Sequence, residues 1–210
     1  MKIASFDIGI YNLAFAHLQT PEIQTVAHTT TDATTLSHEE SKDLSLQTKI
    51  VDWGILCLKE KTDAHDFNLL SKTLVRVLYE KFADEEFDVV LIENQPCMKN
   101  PVMKSIQMIV YSFFLMKSYQ ESRDIDIKLV SASNKLKVKH KGDISQVKTK
   151  SKYMQNKQYV VAHVLKYLEL SKEINEEWID KFKKEKKKDD WSDAYAQALH
   201  YIENNCKKTK

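Results

Sequence analysis

The sequence predicts a mixed α/β fold: a five-stranded sheet, three antiparallel strands followed by parallel ones, with helices on both faces. Three observations predict it. Short apolar segments joined by short connections open the chain, which argues for an antiparallel meander. An unbroken apolar run, Val89–Ile92, has the character of a strand covered on both faces. Helical and extended patterns then alternate to the end.

The expected strands are Lys2–Ile8, Leu13–Leu18 and Ile23–His28, with Pro21 interrupting the second connection. Gly9 lets the chain turn between the first two without a Cβ clash. Thr29–Asp43 is aperiodic and rich in Thr and Ser, as an exposed loop would be. Leu44–Lys61 stays open: its apolar positions suit a helix, while Trp53 and Gly54 equally suit irregular chain packed on the sheet. Phe67–Phe82 repeats Leu70, Leu74, Val77, Leu78 and Phe82 at helical spacing. The buried strand Phe87–Glu93 follows. Asn100 makes a good N-cap and Pro101 a good first residue for a helix running to about Tyr119. Ile125–Ser131 is the fifth strand, and Ala132–Lys150 is a basic loop, mobile or ordered by a partner. Helices are expected over about Lys152–Glu169, Glu176–Lys186 and Asp189–Asn204. No repeat or linker divides the 210 residues, which fit one domain, 1–210, with a substantial core.

Charge is unevenly spread. Residues 1–130 carry 13 Lys/Arg against 19 Asp/Glu, whereas residues 131–188 carry 16 against 7. A basic segment beside an acidic remainder points to a polyanionic partner. Three cysteines with no CxxC argue against a disulfide framework or a structural zinc site. A strand beginning at residue 2 leaves no room for a leader, and no apolar run is long enough for a bilayer. The expectation is an intracellular protein of a reduced compartment, with no membrane partner.

The chemistry starts at Asp7. It ends an apolar strand, and a buried carboxylate needs a cation or a hydrogen-bond network to compensate its lost hydration. Capping the turn is the plain alternative. Glu93 closes the strand 89–92 and should emerge at its carboxyl end, where open α/β sheets place ligand sites. Asp190 and Asp193 are three apart on one helix face, with Gln197 on the next turn. The helix dipole accounts for acidic residues at the helix start, less easily for Asp193. Together these four form an all-oxygen, hard-ligand set suited to magnesium or manganese. Two such ions, about 3.5–4 Å apart, would serve phosphodiester hydrolysis.

DIGIYNLAFA, then VVLIENQP, then KKDDWSDAYAQAL resembles the RuvC-like Holliday-junction resolvases, above all the poxvirus-type members of large DNA viruses. The resemblance spans roughly residues 1–205. It implies an RNase H-like fold and a homodimer that cuts branched DNA, the four-way junction, using Mg²⁺ or Mn²⁺. For a viral member it further implies action in the cytoplasm of the infected cell. The family's catalytic, metal-holding carboxylates fall on Asp7, Glu93, Asp190 and Asp193. A basic residue after the fifth strand falls on Lys135 in SASNK, with Lys137, Lys139 and Lys141 close by as alternatives.

Lys137, Lys139, Lys141, Lys148, Lys150, Lys152 and Lys157, interleaved with Tyr153 and Tyr159, are the candidate DNA-binding residues. Phosphate contacts would give them sequence-independent, salt-sensitive affinity; a solvated lysine-rich face is the plain alternative. Two other function classes compete. An actin or sugar-kinase type of ATP-binding fold also opens on Asp-x-Gly, but it uses several glycine-rich turns and this chain has three glycines. A non-catalytic junction-binding protein would need the basic surface alone. The helix after Pro101 carries Met103, Met108, Phe114, Leu115 and Met116 beyond a single core-facing stripe. Either a two-fold mate or segment 44–61 should cover them.

Overall fold

The computed structural model describes residues 1–21, 43–58, 66–98, 100–145, 147, 149 and 151–205. Its elements in chain order are β1 (Lys2–Asp7), β2 (Asn12–Gln19), β3 (Lys49–Cys57), α1 (Phe67–Phe82), β4 (Val89–Glu93), α2 (Pro101–Gln120) and β5 (Asp126–Val130). A 3₁₀ turn (Ala132–Leu136), α3 (Lys152–Leu170), α4 (Lys172–Lys184) and α5 (Lys188–Asn205) complete it. One five-stranded sheet has the order β3-β2-β1-β4-β5. β3, β2 and β1 are antiparallel, and β1, β4 and β5 run parallel, as expected.

The third antiparallel strand is not where it was expected. Ile23–His28 and nearly all of the Thr/Ser-rich loop lie outside the described residues, and the strand that pairs with β2 is Lys49–Cys57. The open segment 44–61 is therefore a strand over Lys49–Cys57, preceded by a turn at 44–47. The first part of its outer edge is sealed by α4. Asn175, at a kink inside α4, accepts from the Ile50 N–H at 2.8 Å and donates to the Thr48 carbonyl at 3.0 Å. The Trp178 indole donates to the Ile50 carbonyl at 3.1 Å. Satisfying these groups blocks the first part of an edge that could otherwise recruit a foreign strand.

Side-chain alternation splits the sheet into two cores, as a strand buried on both faces requires. Ile3, Val89 and Leu91 face α3, α4 and α5. Ala4, Phe6, Val90 and Ile92 face α1 and α2. Asn100 caps α2 as expected, and Asp66, not among the sequence expectations, caps α1. Asp66 Oδ1 accepts from the N–H groups of Asn68 and Leu69, and Asn100 Oδ1 from that of Met103. Among the described residues no helix is long and apolar enough to cross a membrane.

Candidate active site

Three parallel strands deliver the site. Phe6 lies opposite Ile92 and Glu93 opposite Val130, so Asp7 and Glu93 leave adjacent strand ends side by side. Alternation puts Asp7 on the face of Ile3 and Ser5, and Glu93 on the face of Val89 and Leu91, both toward α5. β5 ends beside them and the chain folds at once into the 3₁₀ turn, which Ser131 caps and which carries Lys135. α5 is locked onto β1 by Gln197, whose amide donates to Ser5 Oγ at 3.0 Å and to the Phe6 carbonyl at 3.3 Å. That anchor places Asp193, one turn earlier, over the strand ends.

Gly9 proves necessary for a close approach rather than an unusual dihedral. A Cβ there would stand 2.4 Å from the Asn12 carbonyl oxygen, inside the turn that carries β1 into β2.

The charges converge on one point. Lys135 Nζ is 2.5 Å from Asp193 Oδ2, 3.4 Å from Asp7 Oδ1 and 3.6 Å from Glu93 Oε2. Asp190 lines the same cleft, about 560 Å³ in volume, together with Tyr11, Gln95, Tyr153 and Lys157. Lys157 forms an ion pair with Asp189. Burial raises Asp7 well above the ordinary carboxylate range; Lys135 pulls it down, while Glu93 adds to the rise. Burial also pushes Asp193 up to about 7, helped by Asp7 and opposed by Lys135. Asp190 is raised by burial and by repulsion from Asp189 and Asp7. Burial disfavours the Lys135 ammonium, yet Asp7, Asp193 and Glu93 together hold its pKa above the usual value.

Among the described residues such a site is short of positive charge: four carboxylates line it against Lys135 and Lys157, and Lys157 is already committed to Asp189. The oxygen-only donor set fits a hard divalent cation. Among the described residues no three His, Cys, Asp or Glu side chains already stand in ligand geometry. The Lys135 ammonium lies between the carboxylates instead.

No protein-family model matches the chain. A stretch of 155 residues is 34% identical to an uncharacterized protein of Acanthamoeba polyphaga mimivirus, covering 72% of this chain and 37% of that protein. The match thus spans little more than a third of the curated relative. Fowlpox virus resolvase, in its complex with Holliday junction DNA, aligns over 99% of this chain and 100% of its own, with a TM-score of 0.57 and 17% identity. The chain has the Holliday junction resolvase fold. The yeast mitochondrial Holliday junction resolvase aligns with a TM-score of 0.53 and 20% identity over 96% of this chain and 77% of its own. The RNase H-like architecture expected from the motifs is the one observed.

Within this resolvase fold the basic segment 132–150 is not a loose loop over its first half. Val138 is buried. Both carboxylate oxygens of Glu203 accept from the Lys139 N–H, at 3.0 and 3.1 Å, and Glu203 also accepts from the Tyr167 hydroxyl. The Gly142 N–H donates to His163 Nδ1 at 3.0 Å, and a Cβ at Gly142 would meet the Ala162 carbonyl oxygen at 1.9 Å. Glu203 and His163 do not stand out in the sequence. The one signal is a carboxylate four residues after Leu199, on the buried stripe of α5.

The candidate DNA-binding lysines divide. Lys137, Lys139, Lys141 and Lys152 are exposed; Lys139 Nζ reaches Asp43 at 3.4 Å and Lys141 Nζ the Leu136 carbonyl at 2.7 Å. Lys157 is half-buried in the cleft, and Lys148 and Lys150 lie outside the described residues.

Proposed function

We propose that the protein is a structure-selective endonuclease that resolves four-way DNA junctions by metal-dependent hydrolysis. The observation that carries this reading is the convergence of Asp7, Glu93 and Asp193 on one point at parallel strand ends of a resolvase fold, with Asp190 in the same cleft. Asp7, Glu93, Asp190 and Asp193 would hold two Mg²⁺ ions, or Mn²⁺ in their place. When bound, such ions supply Lewis-acid chemistry at phosphorus and ease deprotonation of water. Around them the chain supplies position and charge. Gln197 and the paired strand ends fix the carboxylates, and Lys135 brings a cation to the developing phosphate charge. In the overall step the water oxygen adds to phosphorus, the bond to the 3′ oxygen breaks, and that oxygen takes a proton. The products are a 5′-phosphate and a 3′-hydroxyl.

A labelled four-way junction and a matched duplex, incubated with and without MgCl₂, test the reading. Paired nicks are expected on the junction alone and only with metal. Tight junction binding with no cutting under either Mg²⁺ or Mn²⁺ would instead establish a non-catalytic binder. An ATP-handling role is poorly served: Gly9 is the lone glycine lining the cleft.

Lys137 and Lys152 are assigned to the phosphate backbone. Replacing each with Ala should weaken junction binding and flatten the log–log salt dependence by about 1 for each phosphate no longer neutralised. An unchanged slope in fluorescence titrations across a salt series would remove them from the interface.

Paired cutting asks for two sites, and α2 offers the surface for a homodimer. Phe114 turns inward and is fully buried, so it does not belong to the exposed set and a charge there would break the core. Met108 and Met116 remain 42% and 61% exposed. With Val75 and Tyr79 of α1 they line a groove of about 600 Å³. No residue of 44–58, the described part of segment 44–61, lines this groove. A second copy is the proposed occupant, in an isologous contact. Met116→Glu should give a folded monomer by sedimentation velocity that nicks one strand per encounter. A parent chain that sediments as a monomer at micromolar concentration with junction bound would rule the dimer out.

A further inference from the structure

The carboxylate cluster already contains a cation. Lys135 Nζ sits within 3.6 Å of oxygens from Asp7, Glu93 and Asp193, which come from three different elements. A divalent ion held by these oxygens must bind at about 2.0–2.6 Å from each. It would therefore lie at close quarters with the ammonium, and two like charges at that separation repel strongly in a part-buried site. Ion and ammonium cannot share the point.

We propose, resting on the metal reading above, that Lys135 is a resident counter-ion which a divalent cation displaces on binding, so that its ammonium leaves the carboxylates for the open part of the cleft only once metal is loaded. Three features of the chain make this exchange workable. The cluster needs compensation before metal arrives, because carboxylates buried without a cation are costly. Lys157, the other cation lining the cleft among the described residues, cannot substitute while it is paired with Asp189. Lys135 has somewhere to go: its four-carbon stem is flexible, and the cleft beside it, lined by Ser133, Tyr153 and Asn156, is open. A displaced ammonium there faces the side from which a phosphate would enter. Metal loading and electrostatic readiness for the substrate then become one event.

The exchange is read without DNA and without cutting, on the full chain. Mn²⁺ binding is measured by the loss of free-ion paramagnetic resonance signal for the parent, Lys135→Met and Asp7→Asn. Lys135→Met should bind Mn²⁺ about tenfold more tightly than the parent, the scale of one removed charge interaction at a few ångströms. Its melting temperature should fall below that of the parent in EDTA and rise by more than the parent's on adding MgCl₂. In the parent, the ¹H–¹⁵N signal of the Lys135 ammonium, sheltered in EDTA, should shift or broaden as Mg²⁺ is titrated. Should Lys135→Met fail to fold, Lys135→Gln and the ammonium signal decide the matter. Unchanged or weaker Mn²⁺ binding without Lys135, with Asp7→Asn losing the ion, overturns displacement and leaves the metal reading intact. Parental Mn²⁺ binding by Asp7→Asn overturns the metal reading, and displacement with it.

Discussion

Asp7→Asn should cut a four-way junction at least about 10³-fold more slowly than the parent, yet melt at a higher temperature when no metal is present. The loss follows from removing a carboxylate central to a site in which metal chemistry supplies several kcal/mol of transition-state stabilisation. Junction binding should survive, because the basic surface is untouched. The gain in stability has a separate cause. Burial pushes the pKa of Asp7 well up, and its charge also raises that of Asp193. An asparagine there can still accept from Lys135 and donate to Glu93, and it carries no charge to bury. Relief of about 1–2 kcal/mol corresponds to roughly 2–8 °C in a chain of this size.

The pH dependence has a definite sign. A carboxyl group whose folded pKa is raised stabilises the fold fully below its unfolded value, about 3.9, and loses that contribution as pH climbs through the folded value. For Asp193 the folded value is about 7. The metal-free parent should therefore lose stability between about pH 4 and pH 7, and Asp7→Asn should lose less. Thermal melts in EDTA across that range check both statements. Identical slopes for the two proteins, or a variant that still cuts at near the parental rate, would show that Asp7 is not the charge the site is built around.

What is legible in the sequence is whatever a local pattern carries. Asp7 and Glu93 stand out because each ends an apolar run, and those runs are neighbouring parallel strands in the fold. Asp190 and Asp193 stand out by helical spacing. β3 is not legible. Both of its faces are partly covered, its only glycine breaks the apolar pattern, and its register on β2 shifts between His17 and Leu18. Ile50, Trp53 and Cys57 happen to sit at helical spacing as well. Lys135 can be narrowed only to a run of alternating lysines. Its selection depends on the tight 3₁₀ turn after Ser131, which a count of charges does not reveal. The inward turn of Phe114 is hidden for a similar reason: the apolar residues of α2 extend well beyond one stripe, and only α1 and the sheet decide which of them are core.

Trp53→Ala should be the most damaging single truncation, costing about 3–5 kcal/mol and lowering the melting temperature by roughly 6–20 °C. Trp53 is only 2% exposed, and its ring stacks on Phe182 at 5.0 Å with an interplanar angle of 11°. Trp191 lies at 4.8 Å and Tyr195 at 4.9 Å, so one side chain joins β3 to both α4 and α5. Its indole N–H donates at 2.9 Å to the carbonyl of Trp191, which lies between Asp190 and Asp193. Losing the ring should therefore loosen the first turn of α5 as well as the edge strand. A variant still folded at low temperature should bind Mn²⁺ more weakly than the parent, although no ligand residue has changed. Trp53→Phe separates the two effects: it keeps an apolar ring in the stack, loses the hydrogen bond, and should cost less than half as much. A melting temperature for Trp53→Ala within about 2 °C of the parent would mean that β3 is held by its backbone edge contacts with α4 rather than by this aromatic box.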